Sequence, residues 1–324
     1  MRQAGRSLPD YRRIRQRYGI MDICRQPELC ASVTCMPVDL LGVDAAVLFA
    51  DIMLPLGAIG VDYELVESVG PVVAHPLRID ADVHRLGQLD PDNGISFVMD
   101  AIRACRQRLN GKVPLIGFAG APFTLAGYLI EGRPSRQFTR TKALMYREPA
   151  TWHLLMEHLT EMTITYLRAQ AAAGAQALQL FDSWVGALAP DDYAEFVLPY
   201  SERIFSALAD LQLPRIHFAT ASTGLISHLA AAGSDVIGVD WRVDLAAAWD
   251  QIGDRAIQGN LDPLVLLGPR ELVVERALRL LRSVTGRPGH IFNLGHGVHP
   301  QTPIDNLRTL VETVHAWRPA SHQR

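Results

Sequence analysis

Lysine is almost absent from this chain. Of its 31 basic residues only Lys112 and Lys142 are lysines, so 29 are arginines. A GC-rich genome produces that bias, and so does selection for a planar fork that binds two carboxylate or phosphate oxygens at once. A surplus of one sign of charge is missing too. The net charge of -3 excludes the global basic field of a nucleic-acid binder, and no nucleic-acid partner is expected. Cysteine is scarce: Cys24, Cys30, Cys35 and Cys105 form no CxxC pair, which excludes a disulfide scaffold and a zinc-finger spacing and points to a reduced, cytoplasmic protein. The N-terminus lacks the apolar core of a signal peptide. Residues 113–130 carry no charge, but Gly117, Gly120, Pro122 and Gly127 interrupt them. They read as a buried strand, a turn and a helix start, not a membrane span. There is no GxSxG elbow and no P-loop. His296 and His299 have no carboxylate or cysteine at a ligand spacing, so no metal is expected.

What is present is a rhythm. Short apolar runs recur at 45–51, 114–120, 177–183, 215–219, 236–241, 256–260 and 290–297, each followed by a polar or glycine-containing turn. Hydrophobicity that is continuous, not alternating, marks strands buried on both faces, as in parallel sheets. Helical periodicity fills most gaps. In 150–173, Leu155, Leu159, Met162 and Tyr166 share one face and Gly174 is placed to stop the helix. Thr302-Pro303-Ile304-Asp305 reads as an N-cap with proline at the first helical position. The segment 57–73 reads as an inserted hairpin. The fold class is therefore α/β: a single (β/α)8 TIM barrel domain over residues 1–324. Seven strands are counted where a closed barrel has eight, and the first strand is expected to lie upstream of Met1.

Barrel enzymes carry their chemistry at the C-terminal ends of the strands. Those ends hold Asp51, the 117–122 turn, Asp182-Ser183, Asp240-Trp241, Gly259-Asn260 and 293–297 with His296. The first 25 residues add seven arginines against two aspartates. Such a stretch is a solvated helix face, a nucleic-acid arm or an anion site.

These motifs in this order resemble the uroporphyrinogen decarboxylase family. The N-terminal Arg2-Gln3-Ala4-Gly5-Arg6 with Leu8-Pro9-Asp10-Tyr11-Arg12 is the most specific. Phe49-Ala50-Asp51-Ile52, the 117–122 turn with Thr124 and Tyr128, Phe181-Asp182-Ser183, Gly238-Val239-Asp240-Trp241, 259–263 and 293–297 follow. The resemblance implies a cofactor-free, homodimeric barrel that removes the four acetate carboxyls of uroporphyrinogen III to give coproporphyrinogen III in tetrapyrrole synthesis. Two departures stand out. Family members usually have a further segment, ending in an apolar strand, before the arginine-rich loop, and often a tyrosine where Ser7 stands.

That chemistry requires a proton donor, an anion facing the pyrrole N–H groups and cations for the substrate's carboxylates, because a protonated pyrrole accepts the electrons CO2 leaves behind. The resemblance assigns the anion to Asp51. It assigns carboxylate-binding cations to Arg2 and Arg6, with Arg2 also as proton donor. Tyr128, Ser183 and His296 become carboxylate hydrogen-bonders, and Phe118 either packs on the macrocycle or is plain core. Asp182 and Asp240 read as structural, and Arg12, Arg13, Arg15 and Arg17 as a solvated helix face. Two competing readings are a corrinoid-dependent methyltransferase, whose zinc-holding His-x-Cys motif is missing here, and a non-catalytic tetrapyrrole binder.

Overall fold

The computed structural model describes residues 7–66 and 69–318. All seven apolar runs form strands of one parallel sheet. In chain order these are β1 (Ala46–Val47), then, after an inserted hairpin of β2 (Tyr63–Val66) and β3 (Gly70–Val73), β4 (Leu115–Gly120), β5 (Ala177–Asp182), β6 (Arg215–Ala219), β7 (Val236–Val239), β8 (Ala256–Leu261) and β9 (His290–Leu294). The spatial order follows the sequence, β1-β4-β5-β6-β7-β8-β9, with helices in the crossovers. The sheet curls into a TIM-barrel-like fold. Among the described residues no pairing joins β9 to β1, which stand at the two edges of the sheet. Ile291 on β9 is 42% exposed there.

Several boundaries differ from the sequence reading, three of them for a clear physical reason. The run at 45–51 pairs for only two residues, because the Phe49 amide donates to Thr34 Oγ1 and its carbonyl accepts from Cys30 Sγ in place of a sheet partner. The hairpin starts at Tyr63, not Gly57, since Leu54–Ala58 is a helix with a proline in its first turn. The C-terminal helix runs Ile304–Ala316 with Pro303, not Thr302, at the N-cap. Pro303 has an extended ψ of 134°, so the first turn cannot begin before Ile304.

The long helix Pro149–Ala173 ends as expected at Gly174, whose φ of 116° only glycine adopts without strain. Its Gln170 side chain is fully buried and clamps β4. Oε1 accepts from the Phe118 amide at 2.8 Å and Nε2 donates to the Phe118 carbonyl at 2.8 Å. This needs Gly117, where a Cβ would stand 2.4 Å from Gln170 Oε1. Gly117 therefore faces the helices and Phe118, next along the strand, faces the barrel interior.

Candidate active site

Parallel strands place all their C-terminal ends on one rim, and the residues singled out above lie along it. Asp51 follows β1 and is 6% exposed. Its Oδ1 accepts from the Met53 amide at 3.0 Å, which fixes the carboxylate at the start of helix Leu54–Ala58. Gly120, at the end of β4, keeps this loop close: a Cβ there would meet Ile52 at 3.2 Å and Leu125 at 2.7 Å. The hairpin's Tyr63 lies over the same loop. Burial, and then the Asp51 charge, push its phenol well above the ordinary value. A phenol so shifted stays neutral beside the carboxylate.

Arg2 and Arg6 lie outside the described residues. The chain enters description at Ser7, and helix Pro9–Arg15 follows at once. Tyr11, buried on that helix, packs its ring 5.8 Å from Phe49, two residues before Asp51. Helix Pro9–Arg15 is thus anchored beside the Asp51 loop. Arg12, Arg13 and Arg17 are exposed and Arg15 half-exposed, as a solvated face requires.

Phe118 is 8% exposed and belongs to a core cluster. Its ring meets Phe181 edge-on at 5.3 Å, and Phe181 meets Phe218 at 5.6 Å. Register pairs Gly120 with Phe181 and Phe181 with Phe218, so all three rings line one interior face. Gly238 leaves room for Phe218, with a Cβ contact of 3.0 Å. Phe181 is the more open ring, only half-buried, and reading the sequence missed it. Its signal was the parity it shares with Phe118 across two adjacent strands.

Tyr128 and Ser183 come together through a residue the sequence reading also missed. Tyr128 is half-buried on helix Pro122–Glu131, and its ring packs edge-on against Trp184 at 5.9 Å. Ser183, between Asp182 and Trp184, is half-buried, and its carbonyl accepts from Thr220 Oγ1 beyond β6. Asp182 and Asp240 are fully buried; Asp182 Oδ1 takes the Thr124 hydroxyl, and Asp240 is hydrogen-bonded through both oxygens. Asp240 accepts from the Ala221 and Arg242 amides and from the Arg242 guanidinium, which stacks 3.9 Å over Trp241. Trp241 in turn meets His296 edge-on at 5.9 Å. Gly295 permits that approach: a Cβ there would lie 2.3 Å from the Trp241 amide. His296 itself is exposed at the rim.

The rim thus brings a buried carboxylate, a phenol, an alcohol and an imidazole around an aromatic-lined interior. A carboxylate can accept N–H bonds, and a phenol, an alcohol and an imidazole can donate to carboxylates. Among the described residues no three His, Cys, Asp or Glu side chains gather as a metal-holding group, and no helix is long and apolar enough to cross a membrane.

Comparison with known proteins extends these observations. The family model described as Uroporphyrinogen decarboxylase (URO-D) matches residues 1–317. The uroporphyrinogen decarboxylase of Carboxydothermus hydrogenoformans is 48% identical over 325 residues, covering 100% of this chain and 93% of the relative. That of Thermus thermophilus is 52% identical, covering 97% and 92%. That of Nocardia farcinica is also 52% identical, covering 97% and 90%. A solved methyltransferase from Methanosarcina mazei superposes with a TM-score of 0.73, covering 91% of this chain and 89% of that one, at 20% identity. That likeness speaks for the fold alone. With the family model spanning all but the last few residues and relatives matching at about half of all positions, the chain belongs to the uroporphyrinogen decarboxylase family.

Proposed function

We propose that this chain decarboxylates the four acetate arms of uroporphyrinogen III to give coproporphyrinogen III, and that one barrel domain does so. Each arm loses its carboxylate as CO2 and gains a proton to become a methyl group. The observation that carries the reading is full-length identity of about one half to enzymes of that name.

Within it, Asp51 accepts the pyrrole N–H groups and offsets the positive charge that develops when a ring carbon is protonated. Its burial supports the role, since a fixed carboxylate in a water-poor site acts without reorganising at the moment of reaction. Tyr128, Ser183 and His296 hydrogen-bond the substrate's carboxylates. Arg2 and Arg6 pair with them as bidentate cations. A guanidinium is a poor general acid, so Arg2 acts first as a fixed positive charge and hands a proton only to the exocyclic methylene carbon left when CO2 departs. The interior phenylalanines supply an apolar wall for the macrocycle. The working form is a cytoplasmic homodimer without cofactor or metal; sedimentation of the purified chain checks the dimer.

Anaerobic incubation with enzymatically generated uroporphyrinogen III, in the presence of a chelator, tests the activity. After oxidation and separation by carboxyl number, hepta- to tetracarboxylate porphyrins are expected. Unchanged octacarboxylate alone overturns the proposal.

A further inference from the structure

Thr124 is fully buried in the first turn of helix Pro122–Glu131. Its hydroxyl makes two bonds to a different segment. Oγ1 lies 3.2 Å from Asp182 Oδ1 and 3.4 Å from the Trp184 amide nitrogen. A carboxylate accepts and an amide donates, so the roles are fixed: Thr124 donates to Asp182 and accepts from Trp184. One alcohol therefore grips both residues that flank Ser183. Asp182 is itself fully buried, with its other oxygen 3.6 Å from the fully buried His217 Nε2. On the far side, Thr220 holds the Ser183 carbonyl.

Tyr128 stands one helical turn beyond Thr124, on the same face of the helix. That face thus touches one turn twice, by the Thr124 hydroxyl and by the Tyr128 ring against Trp184. The two hydroxyls assigned above to the substrate's carboxylates sit on separate elements, and Thr124 is a side-chain tie between them, beside the backbone bond from the Ala121 amide to the Phe181 carbonyl. Thr220 ties the turn to β6 but does not reach the helix. Tyr128 ring packing restrains distance, and the Thr124 hydroxyl adds direction to that contact.

We propose that Thr124 is a positioning residue for substrate binding: held on the Asp182 carboxylate, it sets the Tyr128 helix against the Ser183–Trp184 turn so that both hydroxyls meet one substrate. This rests on the assignment of Tyr128 and Ser183 to carboxylate binding. Thr124 touches no substrate. Its loss should weaken substrate binding and leave the reacting groups alone.

The test is steady-state decarboxylation of uroporphyrinogen III by Thr124→Val, which keeps the shape and removes the hydroxyl. KM should rise roughly tenfold or more, as misplacing binding groups does, while kcat per folded molecule stays within about twofold. Thr124→Ser, which restores the hydroxyl, should return KM to the starting value. Adding Tyr128→Phe to the valine variant should then cost much less than it does alone, because the two changes break one unit. If the valine chain does not fold, Thr124→Ala, which leaves space beside the carboxylate, takes its place. A wild-type KM in the valine or alanine variant overturns the inference, and so does a serine variant no better than valine. Tyr128→Phe and Ser183→Ala separate the two levels. If neither raises KM, the carboxylate assignment fails, and this inference with it. If they do and Thr124→Val does not, only the positioning role fails.

Discussion

Asp51 serves two ends with one carboxylate, because one of its oxygens takes the Met53 amide and so fixes the direction in which the group points. Replacing it by asparagine keeps the size and removes the charge. Turnover should fall by about a thousandfold, the scale of losing a preorganised charge, with an unaltered circular-dichroism spectrum. Near-normal turnover would remove Asp51 from the chemistry. Arg6→Ala should raise KM, and unchanged KM and kcat would take Arg6 out of the site. Gly295 shows that a residue without a side chain can belong to a site. Gly295→Ala would drive a methyl group into Trp241, and His296 rests against that ring. Activity should fall in that variant even though no polar group has changed.

Strands and helices here are joined by side-chain clamps as well as by packing. Gln170 is the clearest, because it satisfies both backbone groups of Phe118 from the helix behind it. Gln170→Leu leaves a buried donor and a buried acceptor without partners. At 1–3 kcal/mol for each of the two groups the cost is about 2–6 kcal/mol, read as a lower urea midpoint with an unchanged slope. A loss below about 0.5 kcal/mol would mean that other groups satisfy Phe118. At the other end of the sheet, His290 on β9 donates from Nε2 to the Gly259 carbonyl at 2.9 Å. Burial lowers its pKa below the ordinary value, against the opposing pull of that bond. The folded chain therefore resists protonation more than the unfolded one does. Its contribution is full above the unfolded value of about 6.5 and is lost as the pH falls through the window below it. The melting temperature should drop between pH 7.5 and 5.5 more steeply in the wild type than in His290→Phe. Parallel curves would show that His290 does not carry the effect.

Across the whole molecule, the sheet order repeats the chain order, so every crossover is local and every strand end that follows an apolar run lands on the same rim. That is why residues as far apart as Asp51 and His296 share one opening. It also explains how much was legible beforehand. All seven parallel strands were readable because burial on both faces leaves unbroken apolar runs; Asp51, Ser183 and His296 stand at or near the ends of those runs, while the roles proposed for them and for Tyr128 came from the family resemblance. Trp184, Thr220 and the interior-facing Phe181 were not readable, since nothing local distinguishes a tryptophan that packs on a tyrosine 56 positions away from one in any loop. Activity should be indifferent to a chelator. Loss of turnover on chelation, restored by a divalent metal, would require a ligand set that the expected chemistry does not include.

The sequence by itself determined the strand rhythm, the family and the chemical types at each strand end, because these follow from local hydrophobicity and from residue identity. Only the tertiary structure decided which oxygen binds which proton. That Thr124 joins a helix to a turn, that Gln170 fills the space Gly117 leaves, and that Asp182 is buried behind Ser183 all depend on distances between segments far apart in the chain. Such distances arise from packing. A linear order of residues constrains them only through the fold it selects.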